Sequence, residues 1–408
     1  MDKLLIQNAR VYQNGQFVRA DVLCGDALIA RIGENLTDGE ARVIQADGLR
    51  LVPGFIDVHT HGAAGVDVNA ADEAGLRKIA AFFATQGVTA FNASVLTDTP
   101  ETTEKCLGAI ANVMSDRGMG AQLLGAHLEG PFLAKEYKGA MPEALLREGD
   151  ENLLRAYQNR FPGVIRYITV SPEVPGVVDM IGKISHDVTV AIGHSGADYD
   201  TSMEAIRRGA RCVTHTFNAM RLFHQHQPAI MGAALESDCW CEAICDGRHL
   251  HPGTVRMLLK CKGWDRVIAI TDSIMAAGLP DGNYKLGVND VVVRDGDAVL
   301  ASNGVRAGST LTLAQALRNI VAFTGRPVQD VIPLMTANPA KALRMDDRKG
   351  SIEVGKDADM VLLDDELNVR VGRLYGYANC KADEDTSNGF YQDLRGKALS
   401  LSVTLSGA

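Results

Sequence analysis

The rhythm of apolar and polar positions changes twice along the chain. From the N-terminus to about Arg50, short apolar runs alternate with turn residues: KLLIQNARVY, NGQFV, ADVLCGDALIARIG. Asn14-Gly15 lies between two such runs and predicts a β-hairpin, because both residues tolerate positive φ. A similar rhythm returns in GSIEVGKDADMVLLDDELNVRVGRLYG, where Gly355 and a Lys-Asp-Ala-Asp turn lead into Met360–Leu363. Strand segments at the two ends of a chain can pair, so residues 1–51 and 345–408 are expected to form one small β-sandwich domain. Within it, the stretch from about Ala378, polar KADEDTSNG followed by ALSLSVTL, has no pattern that assigns it an element.

Between these ends, apolar runs alternate with helical stretches, the pattern of a parallel α/β fold. Candidate strands are Val52–Val58, Val88–Val95, Gln122–Leu128, Ile165–Val170, Val188–Ile192, Cys212–Thr216, Cys241–Cys245 and Val267–Thr271. Helices are expected in ADEAGLRKIAAFFATQG, PETTEKCLGAIANVMSD, DYDTSMEAIRRG and HPGTVRMLLKCKG. Eight strands alternating with helices over residues 52–344 predict a (β/α)8 TIM barrel. No repeat of fixed short period points to a solenoid instead.

Composition narrows the classes. With 408 residues, 46% hydrophobic and 22% charged, the chain is long enough for a barrel with an appendage. A net charge of −9 without a long basic run argues against nucleic acid as a partner. No apolar run approaches the ~20 residues of a membrane helix, and the start lacks the features of a secretory signal. A cytoplasmic protein without a membrane or nucleic-acid partner is expected. The eight cysteines do not form a disulfide scaffold. CWCEAIC could be a metal knot, but it reads as a buried strand that uses cysteine as a small hydrophobe.

The ionisable residues fall at one kind of place. His59 and His61 follow the first strand, Glu129 the third, His194 the fifth, His215 the sixth and Asp272 the eighth. Barrel enzymes build their sites at this C-terminal rim. One histidine there is readily explained by packing, but six convergent ionisable groups are not, because unpaired buried charges and imidazoles are costly. A divalent metal, zinc or iron by the donor types, removes that cost. The chemistry expected is metal-assisted hydrolysis of an amide or similar bond. The bound hydroxide would attack the carbonyl, and Asp272 would serve as general base and acid.

Read in order, PGFIDVHTHG, HLEGPF, GHSGA, THTFNAM, DGRHLHP, ITDSIMAAG and NPAKALRMDDRKGSIEVGKDADMVLLD resemble the N-acetylglucosamine-6-phosphate deacetylase family of the amidohydrolase superfamily. The resemblance covers roughly Lys3 to Val369. It implies that Glu129, His194 and His215 hold a principal metal, and that His59 and His61 help to hold a second, so one or two ions per subunit. It implies Asp272 as the general acid/base, Asn218 and Ala219 as sugar-binding, and His249 as a contact near the substrate carbonyl. It also implies a homodimer in which the loop of residues 222–228 reaches the neighbouring site.

Three departures bear on the substrate. Where members commonly read LHHREPG, this chain reads LFHQHQPA, so His226 stands at the position of a phosphate-binding arginine. A histidine, mostly neutral at pH 7, is a weaker phosphate ligand than a guanidinium fork. KGAM places Met141 where KGAH has a histidine. Arg306 stands where leucine is usual, either as a solvated loop residue or as a relocated anion-binding charge. The expected activity is deacetylation of an N-acetylated amino sugar of the N-acetylglucosamine-6-phosphate type. Alternatives are N-acetylgalactosamine-6-phosphate, an unphosphorylated or carboxylated amino sugar, or an N-acyl amino acid. A catalytically silent scaffold would have lost ligands that this chain keeps. The strand IRYITV also ends without the lysine that a carbamylated-lysine centre would need.

Overall fold

The computed structural model describes residues 3–116 and 120–371. The predicted tail from Ala378, and with it much of the C-terminal part of the predicted small domain, lies outside the described residues. Asn14-Gly15 forms the expected hairpin: Gln13 pairs with Gln16, and both turn residues have positive φ, 50° and 78°. That hairpin, Leu4–Gln13 with Gln16–Gly25, belongs to a seven-stranded mixed sheet. Met360–Leu363 joins the sheet antiparallel to Arg50–Pro53, so the two ends of the sequence meet as expected. Ile6, Val11, Val22, Met360 and Leu362 fill a core separate from that of the barrel.

Eight parallel strands form the second sheet: Phe55–Asp57, Val88–Leu96, Gln122–Glu129, Ile165–Val170, Thr189–Ile192, Cys212–Val213, Trp240–Ile244 and Val267–Ile270. Each pairs with its neighbours in chain order. The first and last are joined beyond their ends by a parallel bridge between Thr60 and Ser273. Two backbone hydrogen bonds complete this seam: Asp272 N–H to the His59 carbonyl (2.9 Å) and His61 N–H to the Ser273 carbonyl (2.7 Å). The fold is a (β/α)8 barrel with a small β unit.

One predicted strand is divided. Val52–Val58 reads as a single apolar run, but Arg50–Pro53 pairs in the small sheet and Phe55–Asp57 in the barrel. Gly54 stands between them, where a Cβ would lie 2.0 Å from the Thr89 hydroxyl oxygen. Periodicity cannot show this change of sheet, because both halves are buried on both faces.

All four predicted helices are present, as Glu73–Thr85, Pro100–Met114, Tyr199–Arg207 and Pro252–Lys262. Asp72, Thr99 and Asp198 cap the first three by accepting backbone N–H bonds. Four further helices complete the strand–helix alternation: Glu151–Arg160, Val177–Ile184, Ala229–Glu236 and Leu313–Thr324. An antiparallel three-stranded sheet follows the eighth strand, formed by Gly282–Leu286, Asn289–Arg294 and Asp297–Leu300. Its Asp295-Gly296 turn joins the second and third of these strands, with φ of 51° and 74°. Among the described residues, no helix is long and apolar enough to cross a membrane.

Candidate metal centre and substrate pocket

A repeated local geometry places the ionisable residues. His59, His194, His215 and Asp272 each lie two residues beyond the end of a barrel strand, and Glu129 is the last residue of its strand. His194, His215 and Asp272 have φ of 48°, 28° and 48°. Non-glycine residues avoid this region unless the surrounding structure imposes it, and such strain concentrates at functional sites. Here the turn follows directly on a buried strand.

The side chains converge. His59 Nε2 and His61 Nε2 are 3.2 Å apart, and His61 Nε2 is 3.2 Å from both Glu129 Oε2 and Asp272 Oδ1. On the other side, Glu129 Oε1 lies 3.1 Å from His194 Nε2 and 3.3 Å from His215 Nε2. Two three-residue groups with metal-ligating geometry result, His59–His61–Glu129 and Glu129–His194–His215, both buried and sharing Glu129. These separations are close to the roughly 3.3–3.6 Å edges of a tetrahedron built from 2.0–2.2 Å metal–ligand bonds.

The outward ring nitrogens decide whether the donors fit a cation. His59 Nδ1–H donates to Glu242 Oε2 (3.1 Å), His61 Nδ1–H to the Ser94 carbonyl (3.1 Å), and His194 Nδ1–H to the Tyr137 carbonyl (2.7 Å). Each bond fixes the ring with Nε2 facing the centre, so that release of the Nε2 proton to a cation gives the tautomer that binds metal. The electrostatics agree. Burial opposes charge on His59 and His61, yet Glu129 and Asp272 outweigh it and push the imidazoles up to about 9 and about 10. Burial likewise opposes charge on Glu129 and Asp272, but the imidazoles hold both carboxyls below their ordinary range. The cluster calls for positive charge, and a divalent cation fits it.

A cavity of about 520 Å³ opens onto His61, Glu129, His194, His215 and Asp272, while His59 lies behind them without exposed surface. That volume suits a small ligand. Asn218, Ala219, His249, Met141 and Arg306 also line it, so the cavity brings together every expected substrate contact except His226. Asn218 Nδ2 donates to the His215 carbonyl (3.0 Å), which ties the loop to a ligand turn. His249 Nδ1–H donates to Asp246 Oδ2 (2.7 Å), and Asp246 Oδ1 accepts the His249 and Arg248 N–H groups. Met141 is buried with Leu96, Ile274 and Leu286.

Arg306 is already engaged. Its Nε and Nη2 donate to the two oxygens of Asp297, each at 2.8 Å. Its Nη1 donates to the Arg248 carbonyl (3.2 Å). The second H-x-H pair differs from the first in burial and surroundings. His224 and His226 are exposed, their rings 5.4 Å apart, in a loop whose Leu222 and Phe223 are 76% and 55% exposed.

Several residues escaped the sequence reading. Lys135 and Lys138 line the pocket from the loop after Glu129, and Asn303 lines it from beyond the three-stranded sheet. A lysine-flanked KEYKG segment right after a ligand was the available signal. Asp246 and Glu242 were passed over; a lone glutamate inside CWCEAIC was a buried charge that had to be paired.

The amidohydrolase family model matches residues 50–391. An N-acetylglucosamine-6-phosphate deacetylase of Lysinibacillus sphaericus is 34% identical over 378 residues, spanning 91% of this chain and 97% of that protein. An N-acetylgalactosamine-6-phosphate deacetylase of Escherichia coli O157:H7 is 35% identical, spanning 80% and 87%. Among solved structures, a mutant N-acetyl-D-glucosamine-6-phosphate deacetylase of Mycobacterium smegmatis in complex with N-acetyl-D-glucosamine-6-phosphate superposes with a TM-score of 0.85. It shares 30% identity and covers 91% of this chain and 98% of that one.

Proposed function

This chain belongs to the amidohydrolase family and, within it, to the N-acetylglucosamine-6-phosphate deacetylases, and on that premise we propose that it removes acetate from an N-acetylated amino sugar of that type. The observation that carries the reading is the pair of buried ligand groups sharing Glu129, with Asp272 beside them, at a cavity of sugar-phosphate size.

Glu129, His194 and His215 would hold a divalent metal such as zinc or iron, with His59 and His61 at a second ion, and the metal would supply an acidified water and polarisation of the amide carbonyl. The chain's own groups do the rest. Asp272 accepts the proton of the attacking water and passes it to the departing amine. Asp246, accepting from His249 Nδ1–H, fixes the His249 ring at the pocket wall, in contact with the substrate near its carbonyl. Asn218 and the Ala219 backbone orient the sugar. Burial of the ligands excludes bulk water from the reacting atoms.

A homodimer accounts for His226: the 222–228 loop, with Leu222 and Phe223 outward, reaches the partner's pocket. A cytoplasmic location is supported by the seven free cysteines described, six of them buried.

A second reading, in which the substrate bears another anion or none at position 6, is favoured by the capture of Arg306 by Asp297 and by the histidine at position 226. The test is acetate release by metal-loaded protein from N-acetylglucosamine-6-phosphate, N-acetylgalactosamine-6-phosphate, unphosphorylated N-acetylglucosamine and an N-acetyl amino acid. Turnover of the amino acid alone would sink the sugar reading. A strong preference for a phosphorylated sugar would sink the second.

A further inference from the structure

Glu242 lies in the seventh barrel strand, Trp240–Ile244, and is fully buried. Buried carboxylates cost several kcal/mol unless donors surround them. Glu242 has three. Tyr167 O–H, from the fourth strand, donates to Oε1 at 2.6 Å. His59 Nδ1–H and the His215 backbone N–H both donate to Oε2, at 3.1 and 3.0 Å. Every partner is a donor, so the group acts as a carboxylate, and the short Tyr167 bond falls in the charge-assisted range.

The two donors to Oε2 belong to different ligand groups. His59 is on the His61 side of Glu129, and His215 is on the His194 side. One carboxylate oxygen therefore fixes the ring orientation of one ligand and the backbone turn of another. The His59 and His215 rings lie 5.6 Å apart, tilted by 33°. Among the ligand histidines whose Nδ1–H has a partner, only His59 donates to a charged group; His61 and His194 donate to backbone carbonyls. A carboxylate behind an imidazole raises its basicity as well as orienting it.

We propose that Glu242, braced by Tyr167, is a positioning residue that sets the spacing and donor strength of both halves of the metal centre. The inference rests on the metal-centre reading given above.

The test is the dissociation constant for Zn²⁺, measured by chelator competition on purified wild type, Glu242→Gln and Tyr167→Phe, with near-UV circular dichroism to establish the fold. Glu242→Gln is expected to weaken Zn²⁺ binding by roughly 10–100-fold, with kcat largely restored at saturating Zn²⁺. Tyr167→Phe, which leaves the carboxylate in place, is expected to weaken it several-fold. If Glu242→Gln does not fold, Tyr167→Phe decides. A folded variant with a wild-type dissociation constant overturns the proposal and leaves the metal centre intact. Wild-type protein that binds no Zn²⁺ overturns the metal-centre reading and this inference with it.

Discussion

His194 Nε2 and His215 Nε2 stand 2.9 Å apart. His194 already donates from Nδ1, so its Nε2 presents a lone pair toward its neighbour, an arrangement that a shared cation stabilises. Stripping the metal is therefore expected to abolish acetate release and lower the melting temperature, with recovery on adding back zinc or iron.

Without metal, protonated imidazoles replace the missing charge. The folded values of His59 and His61, about 9 and about 10, lie above the ordinary 6.5. Their contribution is fully present below about pH 6.5 and is lost as pH rises through 9 to 10. Metal-free protein is expected to lose stability steeply over that alkaline range, while loaded protein does not. Thermal melts from pH 6 to pH 10, with and without chelator, read the difference. Parallel curves would contradict it.

Asp272 Oδ1 faces His61 at 3.2 Å across the pocket. Asp272→Asn keeps the shape and removes the proton acceptor. It is expected to lower kcat by about 10²–10⁴-fold, with metal content measured by elemental analysis close to wild type. A variant that retains most of its kcat would remove Asp272 from the chemistry.

Both fork positions of Arg306 are taken by Asp297. Arg306→Leu is accordingly expected to change the ratio of kcat/KM for phosphorylated and unphosphorylated sugar by less than about threefold. A tenfold fall in that ratio would instead make Arg306 the anion ligand.

The Gly54 position has no room for a methyl group, because Thr89 atoms lie 2.0 to 2.6 Å from the would-be Cβ. Gly54→Ala should destabilise by ~1–3 kcal/mol through overpacking, seen as a lower melting temperature. An unchanged melt would mean that the backbone yields at the junction of the two sheets.

The candidate metal ligands were legible because strand-end chemistry is local: an apolar run ends, and a histidine or carboxylate follows. His59, Glu129, His194, His215 and Asp272 needed no tertiary information. Glu242 and Asp246 did, because their roles lie in which donors they meet, and those donors come from other strands. The break at Gly54 was invisible for a different reason: Val52 and Ile56 are equally apolar and equally buried in two different sheets.

The seam that closes the barrel passes through the site itself. Thr60 and Ser273, 213 positions apart, sit beside His61 and Asp272 and bond through their side chains. Bringing such distant segments together is entropically slow and comes late in assembly. A chain still emerging from the ribosome carries all five candidate histidine and glutamate ligands before Asp272 is made, yet it has no closed rim on which to hold them. Catalytic competence in this protein thus reports completed folding, and fragments ending before the eighth strand are inert by construction.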